Sequence, residues 1–467
     1  MRHARLLRIA GAAVALAAAG GVLAAPAYAD DLSSGSWYYV RGHVQEAHDA
    51  GYSGKGVTVA VIDTQINPSV PTLRDANLDV SQTSFCYGAD GTPMMPTTTD
   101  LAAGSHGTNV ASLIAGTGKA DPGQLPIRGV APGARVLFFA DAAIANAKNE
   151  TTCLDKQGKD NAGALGAAID AALDAHADII SISQSASISR DLIDAVARAE
   201  ARGVPVMAAL ENDQLTVTWT GFPASANGAV AVQAFDAAGK IQTSGVTADS
   251  QHANLTDDVK VAAPGVGILL QGANGSWDQQ RLGNGTSFAT PIVAGFLAVL
   301  KSKYPKATGN QLLQSMIRNT GNSHHEPQWG NDFGYGSISL TAMLADDPLA
   351  YPDVNPFLDT KDPNAVPSAA DVRAAGTGTA PAPTTARTGQ SAAGKATGGG
   401  AAWLPWVIGG GALLVLLVVG GVVLTRRTAR GRDGAAPIGA DGTTREQLQT
   451  AGVAHGSAPH TDEGATR

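Results

Sequence analysis

The chain has little cysteine, few aromatic residues and few charges. Its 467 residues include two cysteines, 5% aromatics and 15% charged residues. Two cysteines exclude a disulfide-dense scaffold and a thiolate-built metal cluster. Lys and Arg number 32 against 40 Asp and Glu, a net charge of −8, which argues against a nucleic-acid-binding surface. No His/Cys/Asp/Glu set has metal-ligand spacing, and His324-His325 reads as part of a loop, so no metal or cofactor is expected. The 56 glycines include no phosphate-binding pattern after a strand. No internal repeat is present. There is also no Gly-x-Ser-x-Gly elbow with a histidine following it, which argues against an esterase or lipase.

What is present begins at Asn284–Pro291, where one serine stands between a Gly-Thr lead and an apolar helix. Gly285 has no Cβ and permits close backbone approach. Pro291 is expected in the helix's first turn, where its missing N–H costs nothing. Ile292, Val293, Phe296, Leu297 and Leu300 give that helix a buried face. Ser287 then has backbone N–H groups and the positive dipole end beside it, a good setting for an oxyanion.

A serine hydroxyl needs a base, and the base needs an orienting carboxylate. Residues 57–62 are continuously apolar or β-branched, as in a strand buried on both faces, and they end at Asp63. Ligands bind at that carboxyl edge in open α/β sheets. Residues 105–116 read as a helix with Ser105 as N-cap and Gly116 as stop. His106 would lie in its first turn, where the dipole disfavours a charged imidazole and a nearby Asp63 would offset this. Residues 204–209 read as a strand leading to Asn212, whose amide can donate to an oxyanion. Taken singly, each residue has an ordinary reading as a cap or turn former. Taken together, in this order, they point to a nucleophile, base and carboxylate.

These segments resemble the subtilisin-like serine proteases, whose triad runs Asp, His, Ser along the chain. Val-Ile-Asp63-Thr, His106-Gly-Thr-Asn-Val-Ala and Gly285-Thr-Ser287-Phe-Ala-Thr-Pro291 are similar to that family's three motifs, with Thr290 where alanine is usual. Residues 261–266 and Gly334-Tyr-Gly336 are similar to two further segments of the family, and the likeness runs from about Gly54 to Leu344. The resemblance implies a serine endopeptidase acting on protein or peptide substrates, with Asp63, His106, Ser287 and Asn212 as catalytic residues. It also implies substrate pairing along Ser181, Ser183 and Ala209. Further departures surround these motifs: Gln65 replaces a usual glycine, Leu210-Glu211 a usual alanine-glycine pair, Asp213-Gln214 an acidic residue and glycine, and Gln184-Ser185 a leucine-glycine pair. Side chains there would narrow the cleft. They motivate an alternative reading, a domain of weak or no proteolysis that binds or stabilises a membrane complex.

The ends of the chain suggest export. Arg2, Arg5 and Arg8 precede an apolar stretch and an Ala27-Tyr-Ala29 cleavage site, so residues 1–29 read as a signal peptide. Residues 403–424 are uncharged; at ~1.5 Å each, about 22 residues span roughly 33 Å, enough for a bilayer core. Arg426, Arg427, Arg430 and Arg432 mark the following side as cytoplasmic. The expected organisation is an N-terminal extension over 30–53 and a peptidase domain over 54–346. A Pro/Ala/Thr/Gly-rich linker follows over 347–402, extended from about Pro352, then a transmembrane helix over 403–425 and a cytoplasmic tail over 426–467. An exported domain meets oxidising surroundings, so Cys86 and Cys153 are expected to pair.

Strands at 57–62, 134–139, 178–183, 204–209 and 229–234 alternate with helices at 106–115, 161–175 and 189–202. The fold class is therefore α/β, a subtilisin-like three-layer domain with a mostly parallel sheet, plus one C-terminal transmembrane helix. The short extension, cysteine pair, linker and anchor together resemble the layout of the mycosins. Those are membrane-anchored subtilases of type VII secretion, so the secretion machinery is the partner this likeness implies.

Overall fold

Unbroken apolar runs form the centre of the sheet, because strands covered by helices on both faces have no solvent side to mark. In the computed structural model the described residues are 32–377, except 89, 145–150, 160, 213–220, 245–251 and 254. The signal peptide and the apolar segment at 403–425 lie outside them. No helix among the described residues is long and apolar enough to cross a membrane.

Seven strands make the main sheet: β1 (Thr58–Asp63), β2 (Leu78–Val80), β3 (Arg135–Ala140), β4 (Ile179–Ile182), β5 (Val206–Ala209), β6 (Val230–Phe235) and β7 (Val261–Pro264). Their order is β7-β6-β5-β4-β1-β3-β2, and all six pairings are parallel. A separate antiparallel hairpin joins β8 (Ile268–Ala273) to β9 (Ser276–Gly283).

The helices are α1 (Trp37–Arg41), α2 (Val44–Asp49), α3 (Leu101–Ala115), α4 (Ala164–Asp174), α5 (Arg190–Ala201), α6 (Thr286–Lys303), α7 (Gly309–Arg318), α8 (Leu340–Ala345) and α9 (Ala369–Thr377). Buried side chains of α3 and α6 pack on one face of the sheet and those of α4 and α5 on the other, giving three layers. The N-terminal helices are tied down by Trp37 Nε1 donating to Val266 O at 3.0 Å and Tyr38 Oη to Arg128 O at 2.6 Å.

Three sequence expectations change. The helix carrying His106 starts a full turn earlier than Ser105, because Asp100 caps it by accepting from the Ala103 N–H at 2.8 Å. His106 is its sixth residue, beyond the first turn. Likewise Pro291 is the sixth residue of α6, inside the helix rather than in its first turn. Finally, the folded unit continues to Thr377, past the expected linker start near Pro352. Asn227 accepts from the Asp359 N–H and donates to Pro367 O, Asn355 Nδ2 donates to Glu200 and Gly228 O, Arg190 pairs with Asp371 at 2.9 Å, and α9 packs on α5.

Glu200 is buried, and burial lifts its carboxyl to about 8, against the opposing hydrogen bond from Asn355. The folded chain thus holds a proton that the unfolded chain releases near the ordinary 4.5. Stability contributed by this site is complete below that value and falls as pH rises to about 8. Glu200→Gln keeps an acceptor for Asn355 without the ionisable proton. Thermal melts should show a Tm gain for the variant at about pH 8.5 and little gain at about pH 4.5. Equal shifts at both pH values would rule out this origin.

Candidate active site

The site forms where the sheet splits at its carboxyl edge. The β4–β5 ladder ends at Ile182↔Ala208, so Ser183 and Ala209 are the first residues past the last paired rung. Ser181 does not reach this edge. It is fully buried, with its backbone paired to Val61 on one side and Met207 on the other, so it cannot also pair with a substrate strand.

Asp63 ends β1 and is fully buried. Its Oδ1 lies 2.7 Å from His106 Nδ1 and accepts from the Thr64 N–H at 2.7 Å and the Thr64 hydroxyl at 3.1 Å. Helix α3 approaches β1 closely because Gly107 follows the histidine. A Cβ at Gly107 would stand 2.7 Å from Gln65 O and 2.9 Å from Thr64 O. Burial lowers the His106 pKa, but the charge and hydrogen bond of Asp63 outweigh it and the net shift is upward; Arg281 pushes in the opposite direction. The His106 ring packs beside Phe288, next to Ser287, with centroids 6.2 Å apart.

Ser287 is the second residue of α6. Its hydroxyl donates to Ser183 O at 3.1 Å, and the Ser183 hydroxyl donates back to Ser287 O at 2.8 Å. Pro291 explains the second bond. Having no N–H, it leaves the carbonyl four residues earlier, that of Ser287, without its helical donor. Ser183, expected to contact substrate, supplies the replacement.

Asn212 is held by its oxygen. Its Oδ1 accepts from the Thr286 N–H at 3.0 Å, the Thr286 hydroxyl at 3.2 Å and Gln242 Nε2 at 2.9 Å. That assignment directs the NH2 group the other way. A Cβ on Gly285 would lie 3.7 Å from Asn212 Nδ2 and 3.7 Å from the Ser287 N. The Asn212 amide, with its oxygen nearer at 3.4 Å, and the Ser287 N–H thus both border Gly285. Sequence reasoning missed Thr286 and Gln242. Thr286 lay inside the quoted motif, whereas nothing in the sequence marks Gln242.

Several of the residues that depart from the family pattern have partners; Asp213 and Gln214 lie outside the described residues. Gln65 Nε2 donates to Met95 O at 2.7 Å, Gln184 Nε2 donates to Asp141 Oδ1 at 2.5 Å, and the Ser185 hydroxyl donates to Glu211. Asp141 follows β3 beside Asp63. Burial pushes its carboxyl to about 7, opposed by Gln184 and reinforced by Asp63. Cys86 and Cys153 are joined by a disulfide between the loop before α3 and the segment after β3. No group of three or more His, Cys, Asp or Glu among the described residues could hold a metal.

Two variants test this geometry. Asp63→Asn removes the charge that raises His106, so the imidazole pKa followed by NMR should drop; an unchanged value would contradict the pairing. Ser183→Ala leaves the Ser287 carbonyl without a donor and should cost about 1–3 kcal/mol of stability in denaturant unfolding.

Residues 54–336 match the subtilase family, Peptidase_S8. Subtilisin BL of Lederbergia lenta is 31% identical over 309 residues, covering 66% of this chain and 97% of that protein. The minor extracellular protease Epr of Bacillus subtilis is 30% identical over 312 residues, covering 66% of this chain but only 41% of the relative, so the chain spans less than half of that protein's length. Among solved structures, MycP1 from the ESX-1 type VII secretion system shares the fold, with a TM-score of 0.50 at 21% identity, covering 69% of this chain and 88% of that one. The family match, the subtilisin relative and the parallel sheet agree: this chain belongs to the subtilase family.

Proposed function

We propose that the protein is a membrane-anchored extracytoplasmic serine endopeptidase. The observation that carries this reading is buried Asp63 on His106 at 2.7 Å, with Ser287 at the start of α6 and the Asn212 amide bordering Gly285, two residues before the serine. Ser287 Oγ attacks the scissile carbonyl while His106 takes its proton. Asp63 holds the imidazole in one orientation and stabilises its charged form. Asn212 Nδ2 and the Ser287 N–H receive the developing oxyanion. His106 then gives its proton to the leaving amine, and water repeats the sequence on the acyl-enzyme. Substrate lies extended along the backbone past β4, from Ser183, and past Ala209.

The uncharged segment 403–424 followed by arginines supports a single-pass anchor with the catalytic domain outside the cytoplasm. A disulfide within that domain suits an oxidising compartment. The mycosin-like layout extends the proposal to exported protein substrates and to association with type VII secretion machinery.

A fluorophosphonate should label the wild type and not Ser287→Ala; equal labelling would remove the nucleophile assignment. Asn212→Ala should lower kcat about 10²–10³-fold with little change in KM, the scale known for the oxyanion donor in subtilisin. For topology, protease added to intact cells should strip the folded domain while a tag after Arg467 stays protected. A protected domain would reverse the orientation.

A further inference from the structure

Beside Ser105, the residue before His106, lies an open pocket of about 620 Å³. It is bounded by the start of α3, including Asp100 and Ser105, and by the β8–β9 hairpin, including Asn274, Trp277 and Arg281. The hairpin is braced against α3. Asn109 Nδ2 donates to Gln271 O at 2.9 Å and its Oδ1 accepts from the Gln271 N–H at 2.7 Å, while Trp277 Nε1 donates to Thr99 O at 2.8 Å. The pocket wall is thus part of the same rigid unit that carries His106.

Arg281 is the cation of this wall. Among the described residues no carboxylate lies within 4 Å of its guanidinium. The nearby Asp100 carboxylate is committed to capping α3 through Ala103. Arg281 is solvent-exposed, and its positive charge is felt at His106. An exposed guanidinium with no protein carboxylate on it is available to pair with an anionic group of a substrate.

Peptide hydrolysis fixes which part of the substrate passes here. Ser183 exchanges hydrogen bonds with Ser287 on one side of the nucleophile, whereas the leaving nitrogen must lie at His106 to receive its proton. The chain after the scissile bond therefore leaves past His106, the residue that follows Ser105 of this pocket and that feels the Arg281 charge.

We propose that Arg281 is a specificity-determining residue and that this pocket selects an acidic side chain within the first two residues after the scissile bond. Trp277 supplies the apolar wall for its methylene stem and Arg281 the charge. The inference rests on the proteolytic reading, so its test uses two readouts, one of which needs no turnover.

The full chain and Arg281→Glu are incubated with a proteome-derived peptide library, and the new N-termini are sequenced. Separately, calorimetry on the full chain carrying Ser287→Ala compares Glu-Glu amide with Lys-Lys amide. Cut sites should be enriched in Asp or Glu in the two positions after the bond, and Arg281→Glu should turn that preference toward Lys and Arg. Glu-Glu amide should bind about fivefold more tightly than Lys-Lys amide, with the order reversed when Arg281→Glu is added. An uncut library with the charge-dependent binding retained removes the proteolytic reading and leaves the pocket assignment standing. Cleavage without charge preference, or equal binding of the two amides, overturns the assignment of Arg281.

Discussion

The site depends on one close approach, that of helix α3 to the carboxyl end of β1. At Gly107 the helix comes so near that any side chain would overlap the carbonyls of Thr64 and Gln65. This approach sets the 2.7 Å contact between His106 and Asp63. The electrostatics follow from it. A buried carboxylate one hydrogen bond from an imidazole raises the imidazole pKa, whereas burial alone would have lowered it. Moving His106 out of the first helical turn weakens the opposing dipole, so the helix resists the imidazolium less than the sequence suggested.

A second constraint holds the nucleophile. Parallel strands β4 and β5 part after Ile182 and Ala208, and helix α6 begins above the opening. A proline inside a helix ordinarily leaves a weakness one turn earlier. Here that weakness falls on Ser287, and the Ser183 hydroxyl fills it. Thr290, present where the family usually has alanine, bonds back to Thr286 O at 2.9 Å, and Thr286 in turn donates to Leu210 O and Asn212 Oδ1. The sheet edge, the asparagine and the serine helix are therefore one hydrogen-bonded body, which fixes the Ser287 hydroxyl and the Asn212 amide in place.

Much of this was legible in the sequence, for definite reasons. The run 57–62 reads as a central strand because burial on both faces removes polar alternation. The ordering of Asp63, His106 and Ser287 was legible because Asp63 ends such a run, Ser287 opens an apolar helix, and His106 directly precedes the buried stretch of another. The true start of α3 was not. Ser105 is a good capping residue by type, but Asp100 caps the helix, and the small residues between them carry no periodic signal. The fold over 352–377 was hidden because it has few anchors: Phe357 and Val372 are buried, and the rest is held by polar contacts from Asn227, Asn355 and Asp371. Composition records none of these partners. The same holds for Gln242, which orients Asn212 from 30 residues away.

The departures from the family pattern take on a different meaning once their partners are known. Gln65, Gln184, Ser185 and Glu211 could each have obstructed the cleft as loose side chains. Instead each is bound: Gln65 to Met95 O, Gln184 to Asp141, and Ser185 to Glu211. A bound polar side chain loses the conformational freedom that would let it sweep the groove, and its entropy cost is met in folding rather than when substrate arrives. Held in this way, these side chains are ordered before any substrate arrives, so they add no further conformational cost on binding.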